Sequence, residues 1–286
     1  MKRKIIIKRP KKELWMWRVA FIAITSFFIF NKMSDKKQEI TEDCIVRTKV
    51  YGEIFYDDNV LANINSLAEN DKAKGVLLQV DSPGGTITGS EALYKAFKTL
   101  KTKKPLVVSV QNFAVSGGYM VAMSADKIFA YETSALGSIG VIAESFEVTD
   151  LAEKIGVKFL NFKSSPLKGA PNIFEKNSDE ANKSLQSFID EMQSIFKDMV
   201  HESRPSIDKD KLDLICNGMA YSGRQAVQNG LIDGIGTEQA AMDALKEKVK
   251  TDLPVNDYDL GMGQVSNGGF FSHFRNILKA TLQFIQ

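Results

Sequence analysis

Pro105-Leu-Val-Val-Ser-Val110, followed closely by Ala114-Val-Ser-Gly-Gly-Tyr119, is the stretch that decides the fold of this chain. The first segment is a short apolar run, typical of a strand that is buried on both faces. The second leads into another apolar segment, Met120-Val-Ala-Met123, which predicts a helix over residues 117–125. Ser116 therefore stands at a strand-to-helix junction, where the first N–H groups of the helix have no partner within it. This placement suits a nucleophile, and an ordinary glycine-rich turn is the alternative.

A second glycine turn follows a second buried strand. Residues 75–80 form an apolar run, and Asp81-Ser-Pro-Gly-Gly85 comes directly after it. Strand and helix patterns alternate from residue 44 to a predicted strand over residues 157–162, which indicates a layered α/β fold with a largely parallel sheet. Ligands bind at the carboxyl ends of strands in such folds. Both glycine turns lie at strand ends of this kind, so together they predict a site.

The N-terminal residues have a charge pattern of their own. Residues 1–37 carry a net charge of +9, which leaves −7 for the rest of a chain whose total is +2. An acidic body argues against nucleic-acid binding. Residues 15–30 are almost wholly apolar and begin with two tryptophans, which suit a membrane interface. The greater positive charge before this segment predicts a cytoplasmic N-terminus and a body on the outer, periplasmic side of the cytoplasmic membrane.

The predicted organisation has five parts. They are a basic leader over residues 1–14, an uncleaved transmembrane anchor over 15–30, a polar stalk over 31–43, a globular domain over 44–253, and a C-terminal extension over 254–286 with an amphipathic helix. A cleaved signal peptide has the same basic start and short apolar centre, and a buried core helix is a further alternative for the anchor. Beyond residue 178 a helical period of apolar residues predicts a long packing helix.

A serine nucleophile needs a base. The two histidines, His201 and His273, do not lie near the serine motif, so a Ser-His-Asp triad is not expected. A lysine can serve if burial in an apolar pocket favours its neutral form. Lys168 lies in Ser164-Ser-Pro-Leu-Lys-Gly-Ala-Pro171, a stretch without acidic residues after a predicted strand. Lys163 stays open as an alternative because spacing alone does not separate the two.

The cysteines and histidines do not indicate a metal or a cofactor. The sequence has no CxxC pair and no His/Cys cluster, so we expect neither a metal nor another cofactor. Cys44 and Cys216 are the two cysteines. An exported domain permits one disulfide, but the sequence does not pair them.

Four glycine-containing segments follow one another along the chain: Asp81-Ser-Pro-Gly-Gly85, Ala114-Val-Ser-Gly-Gly-Tyr119, Gly137-Ser-Ile-Gly-Val141, and Tyr221-Ser-Gly-Arg-Gln-Ala226 running into Gly230-Leu-Ile-Asp-Gly-Ile-Gly236. In this order they resemble the SppA-type signal peptide peptidases, membrane-bound serine proteases with a Ser-Lys dyad. The likeness extends over residues 45–236. It implies a ClpP/crotonase-like α/β spiral and ring-like homo-oligomers, in which the dyad can be completed across subunits.

The resemblance also implies a role for each site residue. Ser116 matches the nucleophile and Lys168 the general base. Ser138 matches the serine that orients the lysine, and Gly84 and Gly117 match positions whose backbone N–H groups form the oxyanion hole.

Two positions depart from the family pattern. Ser165 stands where glycine is usual in the stretch that ends at the lysine, and Met219 stands where arginine is usual. The first bears on the assignment of the base, and the second on a structural contact.

The expected activity is peptide hydrolysis through an acyl-enzyme. By resemblance, the substrates are cleaved signal peptides, other apolar peptides or membrane protein fragments at the outer face of the membrane, and the anchor contacts lipid. A crotonase-like acyl-CoA enzyme shares the fold and the paired N–H groups, but such enzymes are usually soluble and use acidic catalytic residues. A catalytically silent membrane scaffold is the non-enzymatic alternative.

Overall fold

The computed structural model of the chain describes residues 40–262, so the predicted leader, the anchor and most of the C-terminal extension lie outside the described residues. Strands and helices alternate along this range in the following order: β1 (Cys44–Ile54), α1 (Asp58–Glu69), β2 (Ala73–Gly85), α2 (Ile87–Lys103), β3 (Leu106–Val115), α3 (Gly117–Ala122), β4 (Lys127–Ala130), β5 (Ala135–Gly137), α4 (Thr149–Lys154), α5 (Asp179–Ser203), α6 (Lys209–Ile215), β6 (Ala220–Ser222), α7 (Gly223–Asn229), β7 (Gly234–Ile235), α8 (Glu238–Val249) and β8 (Val255–Asp257). Over residues 40–262, no helix combines the length and the apolar character that crossing a bilayer requires.

The strands form one branched sheet in the order β6-β5-β3-β2-β1-β8, with β4 pairing β3 and β7. All pairs are parallel except β5 with β6. The branch lies within β3, whose residues 107–110 pair with β4 and whose residues 113–115 pair with β5. The layered, largely parallel α/β fold predicted from the sequence is confirmed.

Apolar side chains cover both faces of the central strands, which explains their unbroken apolar runs. On one face, side chains of α1 and α2 join the main core, which includes Val76, Leu78 and Val108. On the opposite face, Leu77 and Val107 pack against α8 in a smaller core. Neighbouring residues of β2 therefore belong to different cores, as the alternation of side chains along a strand requires.

One sequence prediction needs correction. Residues 157–162, predicted as a strand, form no strand, and they lie exposed outside the sheet. Their apolar residues thus have no strand partner and no core to enter. At the other end of the described range, β8 joins the sheet by pairing with β1. Arg47 on β1 fixes it there, with Nε and Nη2 donating to the Asp257 carboxylate at 2.6 and 3.0 Å.

Candidate active site

Ser116 occupies the sharp turn between β3 and α3. Its backbone is strained, with φ 52° and ψ −124°, a conformation that costs a residue with a side chain about 1–3 kcal/mol. The Ser116 N–H donates to the Gly137 carbonyl at 2.8 Å, which holds the turn in place. The half-buried Ser116 hydroxyl makes no hydrogen bond to a described residue. In α/β-hydrolases, strained strand-to-helix turns of this kind expose nucleophilic serines.

The two glycine turns touch through their backbones. A Cβ on Gly84 would lie 2.8 Å from the Gly117 nitrogen, and one on Gly118 would lie 2.4 Å from the Ser82 carbonyl oxygen. A Cβ on Gly117 would lie 2.0 Å from Ser90 Oγ. Side chains are therefore excluded at all three glycines, and the ends of β2 and β3 lie directly beside each other.

The turn at the end of β2 is held by a buried serine. Ser82 is fully buried; its Oγ donates to the Gly52 carbonyl at 2.7 Å and accepts the Gly84 N–H at 3.1 Å. The Gly84 N–H is thus used within the turn. Gly85, beside it, lines the cleft together with Ser116 and Gly117. The roles of Ser82 and Gly85 were missed in the sequence, although both lie in the quoted Asp81–Gly85 motif.

A largely apolar cleft opens beside Ser116. Helix α5, which the sequence predicted only as a packing helix, forms one wall with Met192, Ile195, Phe196 and Met199. The other walls come from α2, α3 and the residues after β5. The remaining lining residues are Gly85, Ile87, Ser90, Glu91, Gly117, Met120, Gly140, Val141 and Ile142.

Ser138 lies at the end of β5, one residue beyond the carbonyl that holds Ser116. Its φ is 47°, its N–H donates to the Met219 carbonyl at 2.9 Å, and its Oγ donates to the Gly218 carbonyl at 3.2 Å. Met219 contacts Ser138 through its backbone, and its side chain is 62% exposed. The departure from arginine at this position therefore leaves the backbone contact intact.

The two candidate lysines differ in their surroundings. Lys163 forms an ion pair with Glu175, and this hydrogen bond lowers the pKa of the Glu175 carboxyl. Lys168 is exposed, is not among the residues that line the cleft, and makes no side-chain hydrogen bond or ion pair to a described residue. Among the described residues, Lys163 is thus already paired with a carboxylate, while Lys168 has no partner. Within the single chain, Lys168 does not join Ser116 in the cleft.

Lys168 belongs to a segment, residues 141–178, that carries many exposed apolar side chains. Helix α4, within it, has no buried residue. Phe162 is 94% exposed, and the same segment exposes Ile142, Phe146, Leu151, Ile155, Val157, Phe159, Leu160, Leu167 and Phe174. We call residues 141–178 the exposed segment. Many large exposed apolar side chains in one segment suggest a binding surface.

Neither cysteine is among the described residues that line the cleft. Cys44 and Cys216 are buried and free, and burial raises the pKa of the Cys216 thiol to about 11. Among residues 40–262, histidine, cysteine and acidic side chains form no group of three or more that could hold a metal.

Comparison with known proteins agrees with this geometry. Residues 98–252 match the model of peptidase family S49, and residues 31–136 match the Clp protease model. Over 208 residues the chain is 38% identical to a protein of Enterococcus faecium named for signal peptide peptidase SppA, covering 72% of this chain and 60% of that protein. It is 30% identical over 217 residues to the chloroplastic serine protease SPPA of Arabidopsis thaliana, covering 72% of this chain and 30% of that protein.

A protease of Synechocystis sp., slr0021, is 35% identical over 203 residues, which cover 70% of this chain and 73% of that protein. The chain thus spans less than two thirds of the length of the Enterococcus relative and less than a third of the length of the Arabidopsis relative. The S49 model covers more than half of the chain. These matches accompany a mixed α/β sheet, a Clp protease-like region and a strained serine at a strand-to-helix turn. The chain therefore belongs to peptidase family S49 and is similar to its SppA-type members.

Proposed function

We propose that this chain hydrolyses peptide bonds with Ser116 as nucleophile and Lys168 as general base, and that cleaved signal peptides or other apolar peptides are its substrates. The observation that carries the proposal is the strained Ser116, whose hydroxyl is unpaired and lines an apolar cleft beside Gly117 and Gly85. The apolar walls favour apolar peptide side chains.

The reaction proceeds in two halves. Neutral Lys168 Nζ takes the proton of Ser116 Oγ, and Oγ bonds to the scissile carbonyl carbon. The backbone N–H of Gly117, which lies against the Gly84–Gly85 turn, stabilises the oxyanion, a contribution of roughly 3–4 kcal/mol per donor. The lysine ammonium then protonates the leaving amine as the C–N bond breaks. Water, deprotonated by the same lysine, hydrolyses the resulting ester and frees Ser116.

The position of Lys168 bears on how the dyad is completed. A lysine acts as a base only when uncharged, and burial is what favours the uncharged form. An exposed Lys168 lacks such burial in the single chain. We propose that a second copy, in a ring-like homo-oligomer, covers the exposed segment and brings Lys168 of one subunit to Ser116 of the next. Ser138, near the same end of the sheet, then orients the lysine through its hydroxyl.

Membrane attachment is part of the proposal. The apolar residues 15–30, preceded by a basic leader, are the feature that supports an uncleaved anchor. The anchor would hold the peptidase domain at the outer face of the cytoplasmic membrane, where released apolar peptides are available.

The test uses the full chain purified in detergent. A serine-directed phosphonate probe should label Ser116, and labelling and turnover of an apolar peptide should disappear in Ser116→Ala. Lys168→Ala should lower turnover by about a thousandfold or more, as loss of a base does in other serine hydrolases. Lys158→Ala, an exposed lysine in the same segment, is the matched control and should keep wild-type turnover. Unchanged turnover in Ser116→Ala refutes the proposal.

A further inference from the structure

The lining of the cleft beside Ser116 is largely apolar, and it carries a charge on one wall. Among the described residues that line it, Glu91 alone carries an ionisable side chain. Glu91 lies in the second turn of α2, directly after Ser90. Ser90 Oγ donates to the Thr86 carbonyl at 2.9 Å, which leaves its lone pairs able to accept a hydrogen bond. The α2 side of the cleft therefore offers oxygen acceptors facing a wall of methionine, isoleucine and phenylalanine.

The present partner of Glu91 is weakly held. Lys95, one turn further along α2, places Nζ 2.5 Å from Glu91 Oε1. The Lys95 side chain is 68% exposed, whereas that of Glu91 is 33% exposed. Exposed pairs at this helical spacing contribute little, because water competes for both charges. Lys95 does not line the cleft. A cation that enters through the cleft can therefore replace Lys95 at Glu91 at a small cost in free energy.

The opposite wall suits a long, flexible side chain. Met192 and Met199 lie on α5, and Met120 lies on α3 next to the serine turn. Methionine side chains are unbranched and adapt to the shape of what they contact. The methylene stem of a lysine or arginine can pack along such a wall while its charged end reaches an acceptor.

We propose that this cleft admits a basic side chain of the peptide substrate, with its stem against the methionine wall and its cation at Glu91. The inference rests on the proposed peptidase function and narrows the substrate class. It selects peptides in which a lysine or arginine borders an apolar stretch. A signal peptide has such a border, where its basic start meets its apolar centre. Glu91 thus becomes a specificity-determining residue, separate from the bond-breaking groups.

The test compares two peptides that differ at one position, the residue before the scissile bond. One carries lysine and the other carries norleucine, which has the same unbranched stem without the amine. Binding is measured by calorimetry to full-length Ser116→Ala, which cannot consume the peptide through Ser116. The readout is the ratio of the two dissociation constants, so that a general change in the cleft cancels.

Glu91→Gln in the Ser116→Ala background should shift this ratio about tenfold against the lysine peptide, the loss typical of a charged hydrogen bond. Lys95→Gln is the matched control, and it should bind the lysine peptide at least as tightly because it releases Glu91. An unchanged ratio in Glu91→Gln overturns the inference, and so does failure of Ser116→Ala to bind the lysine peptide.

The same peptides, given to the enzyme with Ser116 intact, separate this inference from the proposed function. If the lysine peptide binds through Glu91 but is not hydrolysed, the assignment of Glu91 holds and the peptidase proposal fails. If the norleucine peptide is hydrolysed and Glu91→Gln leaves the ratio of kcat/KM values unchanged, the peptidase proposal holds and the assignment of Glu91 fails.

Discussion

At the scale of single residues, two serines adopt backbone angles that serine rarely tolerates. Ser116 and Ser138 have φ values of 52° and 47°. The fold maintains both through backbone hydrogen bonds, from Ser116 to the Gly137 carbonyl and from Ser138 to the Met219 carbonyl. Strain of this kind persists only where the surroundings over-determine the conformation. Both serines sit where the proposed chemistry needs a hydroxyl, so the strain and the proposed function coincide.

Ser82 is the residue whose loss should separate positioning from folding. Ser82→Ala removes the hydroxyl that ties the Gly84 N–H to the Gly52 carbonyl. We expect kcat to fall by about tenfold to a hundredfold with little change in KM, since removing an oxyanion donor outright costs about 10²–10³. Binding of a peptide aldehyde, which mimics the tetrahedral intermediate, should weaken in parallel.

Ser109→Ala is the control for Ser82→Ala. Ser109 is another fully buried serine, lying on β3 with its Oγ accepting from Gln111. The Ser109→Ala protein should lose stability without a selective loss of affinity for the peptide aldehyde. An equal effect of both substitutions on kcat would contradict a positioning role for Ser82.

At the scale of elements, α5 and the exposed segment behave differently from ordinary connections. Ser178 caps α5 by accepting the Ala181 N–H at 3.1 Å, which fixes where the cleft wall begins. The exposed segment, just before this cap, buries none of α4 and leaves large apolar side chains in water. A chain that keeps so much apolar surface uncovered is expected to cover it with a partner.

Phe162→Asp tests that expectation. Phe162 is 94% exposed in the single chain, so the substitution should leave the melting temperature of the monomer nearly unchanged. We expect a smaller assembly mass in light scattering and a loss of peptide turnover. Leu214→Asp, which changes a residue of α6 that is 72% exposed, should keep both mass and turnover. Full turnover in a monomeric Phe162→Asp protein would rule out assembly as a requirement.

At the scale of the whole molecule, the described part of one chain holds the proposed nucleophile, Ser116, without the proposed base, Lys168, beside it in the cleft. If neighbouring copies share the dyad, two inactive proteins can repair one another. Unfolded and co-refolded Ser116→Ala and Lys168→Ala chains should recover roughly a quarter of the wild-type rate, because random assembly leaves both groups intact at about one junction in four. Each variant refolded alone is the control. No recovery in a mixed assembly would place both groups of the dyad in one chain.

The main core also predicts a pH dependence of stability. Burial raises the pKa of Cys216 from 9.0 to about 11. The folded protein therefore keeps the Cys216 proton at pH values above about 9, where the unfolded chain releases it. The contribution of the buried neutral thiol to the free energy of unfolding is present below pH 9 and is lost between pH 9 and 11. Cys216→Ala should lower the free energy of unfolding at pH 8. Between pH 8 and pH 11, the free energy of unfolding should fall by about 2 kcal/mol less in Cys216→Ala than in the wild type. Denaturant unfolding at several pH values measures both, and parallel declines in the two proteins would contradict the assignment.

The sequence by itself determined the alternation of strands and helices, the position of two glycine turns at strand ends, and the family. These follow from local information, namely unbroken apolar runs and motifs whose glycines leave no room for side chains. The absence of a strand over residues 157–162, the use of α5 as a cleft wall and the role of Ser82 were decided by tertiary structure. Apolar content alone does not reveal whether a segment pairs with a strand of the sheet or which face of a helix lines a cleft. It also does not reveal the hydrogen-bond partners of a buried hydroxyl. Each of these depends on residues that are distant along the chain.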